Sequence, residues 1–159
     1  MYSLRNILPL VLCLFASSLL YFYYVSSSIS EFFERWTAIM SYIFLGMVGF
    51  DVQIHNTVLS SEDFTIIIID ECTAVGPILL LTGAIIGYTT NIFRKLVGII
   101  MGSIMLLFLN QVRIVNLVWI DIYYPNFMDF AHLVVWQGII VISAIVFWFV
   151  WSKGLSLQR

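Results

Sequence analysis

The chain has 159 residues, of which 62% are hydrophobic and 10% are charged, and its mean hydropathy is +1.03. This composition excludes an ordinary soluble domain and indicates an integral membrane protein. The net charge of −2 comes without a basic block, which argues against a nucleic-acid partner. No repeat or linker-like tract divides the chain, so we expect one membrane-embedded domain over residues 1–159.

Four apolar segments are long enough to cross a hydrocarbon core of about 30 Å, which takes about 20 residues. They occupy residues 7–25, 74–90, 96–120 and 131–151. The first also has features of a signal peptide, but its apolar stretch continues past any early cleavage site, which favours an uncleaved anchor. We therefore expect an all-α membrane protein with about four transmembrane helices.

Residues 29–50 form a fifth apolar segment of a different kind. Its apolar side chains recur at helical spacing, with Glu31, Glu34 and Arg35 between them, which is typical of an amphipathic helix in the membrane interface. If this helix stays outside, all nine acids also lie outside and the basic residues of the loops and termini lie inside, as the positive-inside rule favours. These basic residues are Arg5, Arg94, Lys95, Lys153 and Arg159. A five-span version with an external N-terminus keeps the later loops correct but leaves Arg5 outside.

The segment 51–69 predicts a small external β element. Clusters of β-branched residues surround a turn signal at His55 and Asn56 and a polar break at residues 60–63.

The two cysteines, Cys13 and Cys72, form neither a disulfide framework nor a CxxC motif. Cys13 lies inside the first apolar segment, where a cysteine is an ordinary small side chain. Cys72 follows the run FTIIII and two acids, Asp70 and Glu71, and precedes a helix that we expect to begin between Thr73 and Pro77. A helix N-terminus favours the thiolate; the two acids oppose this by charge, although either can orient a histidine.

Helix rise places three reactive side chains at one membrane level. At about 1.5 Å per residue, Cys72 lies about 33 Å from Arg94, Arg113 about 27 Å from Lys95, and His132 about 31 Å from Lys153. All three therefore reach the outer edge of the bilayer.

A polar stripe runs along the third predicted span. Asn110, Arg113 and Asn116 share one arc of the helix, and such a stripe usually faces a bundle interior or a cleft. The set suits nucleophilic acyl transfer: Cys72 attacks a carbonyl, His132 exchanges protons, and Arg113 stabilises the oxyanion. One cysteine and two histidines, one of them in a turn, give no metal-ligand spacing, so we expect neither a metal nor a cofactor.

Three segments in this order resemble the exosortase/archaeosortase family of membrane-embedded cysteine transpeptidases, over about residues 36–151. They are ECTAVGPILLLTG, LNQVRIVNLVWI and DFAHLVVWQGIIV. The resemblance assigns the family's nucleophile to Cys72, its arginine to Arg113 and its histidine to His132. The short chain is similar to compact, exosortase H-like members, and it has Ala74 where the family often has glycine.

The resemblance implies a role in sorting exported proteins. Substrates would carry a C-terminal signal made of a short motif, a hydrophobic helix and a basic cluster. The enzyme would hold the cleaved protein as a thioester and pass it to an acceptor. It also implies a multi-pass protein of the prokaryotic cytoplasmic membrane, with its site facing the extracytoplasmic side.

Two alternatives stay open from the residues alone. One is a hydrolase that cleaves without transfer, because the acceptor is not encoded in the nucleophile. The other is a non-catalytic scaffold or transporter subunit in which the polar stripe is a structural seam.

Overall fold

Long helices dominate the computed structural model, which describes residues 4–154 and only the backbone of residues 4–6. The fold is 79% helical, which confirms an all-α membrane protein. The helices are α1 (Leu4–Val25), α2 (Ile29–Val48), α3 (Val75–Gly87), α4 (Ile92–Tyr123) and α5 (Pro125–Gly154). α5 opens with a 3₁₀ turn, Pro125–Phe127, and contains a π-helical stretch, Ala131–Trp136, before its regular part, Gln137–Gly154.

Three of the described helices, α1, α4 and α5, are long and apolar enough to cross a membrane. The predicted span at residues 74–90 forms the 13-residue α3, about 20 Å long and so shorter than the hydrocarbon core. α4 begins earlier than expected because the Asn91 side chain accepts a hydrogen bond from the backbone N–H of Arg94, at 2.9 Å. This cap ends the connection after α3 and adds a full turn to α4.

α4 runs opposite to α3 and α5, because Lys95 Nζ donates to Ile86 O near the end of α3 and a Cβ on Gly98 would meet Trp151 near the end of α5. Lys95 therefore lies at the end of the bundle away from Cys72. At that end α1 meets α3 so closely that a Cβ on Gly87 would lie 2.6 Å from Leu10 Cα. Tyr88 packs its ring against Trp148 and Trp151 near the end of α5. Arg5 and Arg159, which were predicted to lie on the cytoplasmic side, are not among the residues whose side chains the structure describes.

The predicted β element is a three-stranded antiparallel meander, β1 (Gln53–His55), β2 (Val58–Ser60) and β3 (Thr65–Ile67). His55 pairs with Val58 across a two-residue turn, and Asn56 has a φ of 58°, a conformation that asparagine tolerates well. Leu59 and neighbouring side chains fill a core between the sheet, α2 and the C-terminal half of α4. The sheet thus joins α2 to the segment that carries Cys72.

α2 turns small and polar side chains towards the protein and its apolar stripe away from it. Thr37, Ala38 and Ser41 are buried, and Ser41 Oγ donates to Gln111 Oε1 of α4 at 2.8 Å. Phe32 and Met47 of the apolar stripe are 66% and 69% exposed. An outward apolar stripe is what a helix in contact with lipid requires. The interfacial position of α2 stays a prediction.

Candidate active site

Cys72 ends a short 3₁₀ turn, Asp70–Cys72, between β3 and α3. The Cys72 N–H donates to Ile69 O at 2.9 Å, and Thr73 donates to Asp70 O through its N–H and its hydroxyl, at 3.0 and 2.7 Å. α3 begins at Val75, which confirms the predicted start between Thr73 and Pro77 and places its N-terminus three residues after Cys72. Ala74, in place of the family's glycine, has an ordinary φ of −85°, which requires no glycine.

Two side chains of α4 hold this turn by its carbonyl groups. Asn110 Nδ2 donates to Cys72 O at 2.8 Å, and Arg113 Nη1 donates to Glu71 O at 3.3 Å. Asn110 and Arg113 are only 1% and 7% exposed, so both bonds are shielded from competing water. The Cys72 backbone is therefore fixed to α4, whereas the thiol stays half-buried.

Arg113 also contacts the predicted histidine. Its Nη2 lies 2.8 Å from His132 Nε2. Because a guanidinium can only donate, Nε2 must accept, which makes this imidazole neutral with its proton on Nδ1. In this arrangement the Nε2 lone pair is occupied, so His132 takes a proton through Nε2 only after Arg113 moves away.

His132 and Trp136 both lie in the π-helical stretch Ala131–Trp136, and each contacts a side chain of α4. His132 contacts Arg113, as described above. One turn along α4 from Arg113, Asn116 Oδ1 accepts a hydrogen bond from Trp136 Nε1 at 2.9 Å. Trp136 is buried with Ala131 and Leu117. Single π-helical turns are uncommon and often mark functional sites. Arg113 and Asn116 together align this turn with the Cys72 segment.

Burial raises the pKa of the Cys72 thiol above its ordinary value. The hydrogen bond from its own N–H to Ile69 and the Arg113 charge lower the pKa in part, whereas the charges of Glu71 and Asp70 raise it further. The expectation of a thiolate favoured by a helix terminus is therefore wrong for this conformation, because desolvation outweighs the nearby positive charge. The thiol is protonated at neutral pH and must lose its proton during attack.

The structure gathers most of the predicted residues, although by contacts that differ from the predicted ones. Cys72, Arg113, His132 and Asn110 form one connected group, and Asn116 extends it to Trp136. Glu71 and Asp70 contribute backbone carbonyl groups to this network. Across residues 4–154, no group of three or more His, Cys, Asp or Glu side chains is arranged to hold a metal ion.

Sequence reasoning missed two residues that shape the site. Trp136 lies four residues after His132, a spacing that places two helical side chains on one face. The sequence alone could therefore have indicated that Trp136 lies near the site. Tyr24 of α1 contacts Thr73, with its hydroxyl 3.4 Å from Thr73 Oγ1, and no local pattern links positions so far apart in the chain.

A comparison with protein-family models matches residues 3–152 to the family described as Transmembrane exosortase (Exosortase_EpsH). Searches of curated proteins and of solved structures give no match. The matched range includes the 3₁₀ turn, the α4 stripe and the π-helical stretch. This chain therefore belongs to the transmembrane exosortase family, a family of membrane transpeptidases.

Proposed function

We propose that this protein is a membrane-embedded cysteine transpeptidase that cleaves C-terminal sorting signals from exported proteins and transfers the cleaved protein to an acceptor. Cys72 is the nucleophile, His132 the proton carrier and Arg113 the oxyanion donor. The observation that supports this best is the position of Arg113, which donates both to the Cys72-bearing turn and to His132.

These three side chains account for each bond and each proton that moves in the proposed reaction. The Cys72 sulfur bonds to the scissile carbonyl carbon, the carbon–nitrogen bond breaks, and the thiol proton passes through His132 to the departing amine. An acceptor nucleophile then attacks the thioester, gives its proton to His132 and restores the thiol. An amine acceptor gives transfer and water gives hydrolysis.

The contact between Arg113 and His132 suggests how the substrate starts the reaction. A substrate carbonyl near Cys72 competes for the Arg113 N–H groups, and negative charge that develops on its oxygen strengthens that interaction. As Arg113 turns towards the carbonyl, His132 Nε2 is released and can accept the thiol proton. Proton transfer is thereby coupled to substrate binding.

The proposed location is the prokaryotic cytoplasmic membrane, with the site on the extracytoplasmic side. The acids Asp70 and Glu71 lie beside Cys72, and Lys95 lies at the opposite end of the bundle. The positive-inside tendency favours this orientation. A substrate that carries a hydrophobic helix and a C-terminal basic cluster would lie parallel to the bundle in the same orientation.

The non-catalytic alternative, a structural polar seam, accounts for the bonds from Asn110 and Asn116. It accounts less well for Arg113, which joins the Cys72 turn to His132 and borders an open groove. A guanidinium beside a histidine at the edge of a groove is an arrangement that acyl transfer requires, because the oxyanion donor and the proton carrier must reach the same carbonyl group.

Co-expression with an exported protein bearing such a C-terminal tail tests the proposal. The protein is expected to shorten this substrate, and mass spectrometry of the new C-terminus separates a free carboxylate from an attached acceptor. A substrate that keeps its full length under conditions where both proteins reach the membrane would contradict the enzyme assignment.

Trp136 and Asn116 are expected to act as positioning residues. Trp136→Phe keeps the buried ring but removes the N–H, and the loss of one hydrogen bond of about 1 kcal/mol predicts a roughly fivefold lower kcat with little change in KM. Asn116→Asp keeps the acceptor and should retain more activity than Asn116→Leu. Trp119→Phe, on an exposed part of α4, is the matched control. Equal activity of Trp136→Phe and Trp119→Phe would exclude this role.

A further inference from the structure

A groove of about 590 Å³ extends from the candidate site along the membrane-spanning part of the protein. Its polar end is formed by Glu71, Thr73 and Arg113, so it is continuous with the turn that carries Cys72. From there it follows α5 from Gln137 to Phe149, a distance of about 18 Å. The groove is therefore an extension of the active site into the hydrocarbon region.

Three helices contribute matching faces to this groove. α3 forms its floor, because α1 and α5 both pack against α3. On α1 the lining residues recur at helical spacing: Leu10, Leu14, Ser18 and Tyr21. On α5 they also recur at helical spacing: Gln137, Val141, Ala144, Ile145 and Trp148. The walls thus run side by side over a similar length.

The groove opens to the outside of the bundle, and several of its lining residues are small. Val141 and Ile145 are 51% and 50% exposed, which shows that the opening lies between α1 and α5. Ala84 and Ala144 contribute little side-chain volume, whereas Leu80 and Leu81 of α3 are larger. In membranes, small residues at this kind of surface allow another helix to approach closely.

The polar groups at the groove are concentrated at the site end. Arg113 borders the groove beside Glu71 and Thr73, so its guanidinium, which can only donate hydrogen bonds, lies at this end. The opposite end is formed by Leu10, Ala84, Trp148 and Phe149 and is apolar apart from the buried indole N–H of Trp148. The occupant must therefore have a hydrogen-bond acceptor at one end and an apolar stretch of about 18 Å behind it.

The volume indicates how such an occupant fits. A helix 18 Å long and 10–12 Å wide fills roughly 1,400–2,000 Å³, so the groove takes only one side of it. Over this length, a helix presents a ridge of about four side chains at i, i+4, i+7 and i+11. The groove is long enough for that ridge.

We infer that the α1–α3–α5 groove binds the apolar helix of the substrate, on the C-terminal side of the bond that Cys72 attacks. This rests on the proposed function, because only cleavage at Cys72 places that segment here. The helix lies with one ridge against the small residues of α3 and α5, and the carbonyl of the scissile bond reaches Arg113. The groove then holds the leaving segment until the thioester has formed.

Photocross-linking tests the groove without requiring catalysis. The chain with Cys72→Ala carries p-benzoylphenylalanine either at Ile145, in the groove, or at Val146, which is 53% exposed and is not part of the groove. Both are placed in phospholipid nanodiscs with a synthetic polypeptide that has a polar N-terminal segment, 20 apolar residues and a C-terminal lysine cluster. We expect at least tenfold more cross-linked polypeptide from position 145 than from position 146.

Equal cross-linking at the two positions would overturn the inference, as would cross-linking of position 145 to phospholipid alone. If the wild type shortens a substrate but the groove position does not cross-link, the groove fails and the enzyme assignment stands. If the groove position cross-links but Cys72→Ala leaves processing unchanged, the groove binds the apolar helix and the assignment of Cys72 as the nucleophile fails.

Ala144→Leu should also reduce processing about tenfold, because the larger side chain fills part of the groove. Ala16→Leu, on an exposed part of α1, should leave processing unchanged.

Discussion

Replacement of Cys72 with alanine should abolish substrate processing, because loss of a catalytic nucleophile lowers kcat roughly 10⁴–10⁶-fold. The fold should tolerate this change, since Asn110 binds the backbone carbonyl of Cys72 and not its thiol. The full-length substrate should therefore accumulate in the membrane at an unchanged enzyme level. Immunoblotting for substrate size and enzyme abundance measures both.

Cys13→Ala is the matched control, because it removes the other cysteine of the chain from the middle of α1. It should process the substrate at the wild-type rate. Processing by Cys72→Ala at that same rate would show that the thiol takes no part in the reaction and would favour the structural seam.

Replacement of Arg113 should lower activity and also raise the pKa of Cys72. Arg113→Met removes a donor to Glu71 O, to His132 and to the oxyanion, and loss of an oxyanion donor alone costs roughly 10²–10³ in kcat. Arg113→Lys keeps the charge, but a single ammonium group does not reproduce the planar fork that reaches both partners, so it should restore little activity.

The pH dependence of Cys72 alkylation separates the effect of the Arg113 charge from the effect of its hydrogen-bond geometry. The Arg113 charge lowers the pKa of the buried thiol, so its removal should move the midpoint of Cys72 alkylation to higher pH. The measurement is the rate of reaction with iodoacetamide in a Cys13→Ala background. Arg113→Lys should leave the midpoint near that of the wild type, and Arg35→Ala, on an exposed part of α2, is the control. A midpoint that stays constant or falls in Arg113→Met would contradict this account.

Much of the fold follows from local patterns. Hydropathy identified the apolar helices, and the turn signal at Asn56 identified the small sheet. The length of α3 did not follow, because an apolar run does not show where a helix stops. The cap at Asn91 and the close contact of Gly87 with α1 set that end.

The candidate site was predicted at the level of its residues but not of its contacts. Helix rise aligned Cys72, Arg113 and His132, since axial position depends on residue count alone. It did not show that Arg113 occupies His132 Nε2, or that burial keeps the Cys72 thiol protonated. Both effects depend on rotamers and on desolvation by neighbouring helices.

The sequence by itself determined the membrane class, the order of the apolar segments and the three reactive side chains at a common level, because these depend on composition, periodicity and residue count. Only the tertiary structure decided how α4 holds the Cys72 turn, how Asn116 fixes Trp136 in the π-helical stretch, and where α1, α3 and α5 leave a groove. These features arise between residues far apart in the chain, and packing brings such residues together in ways that no local pattern records.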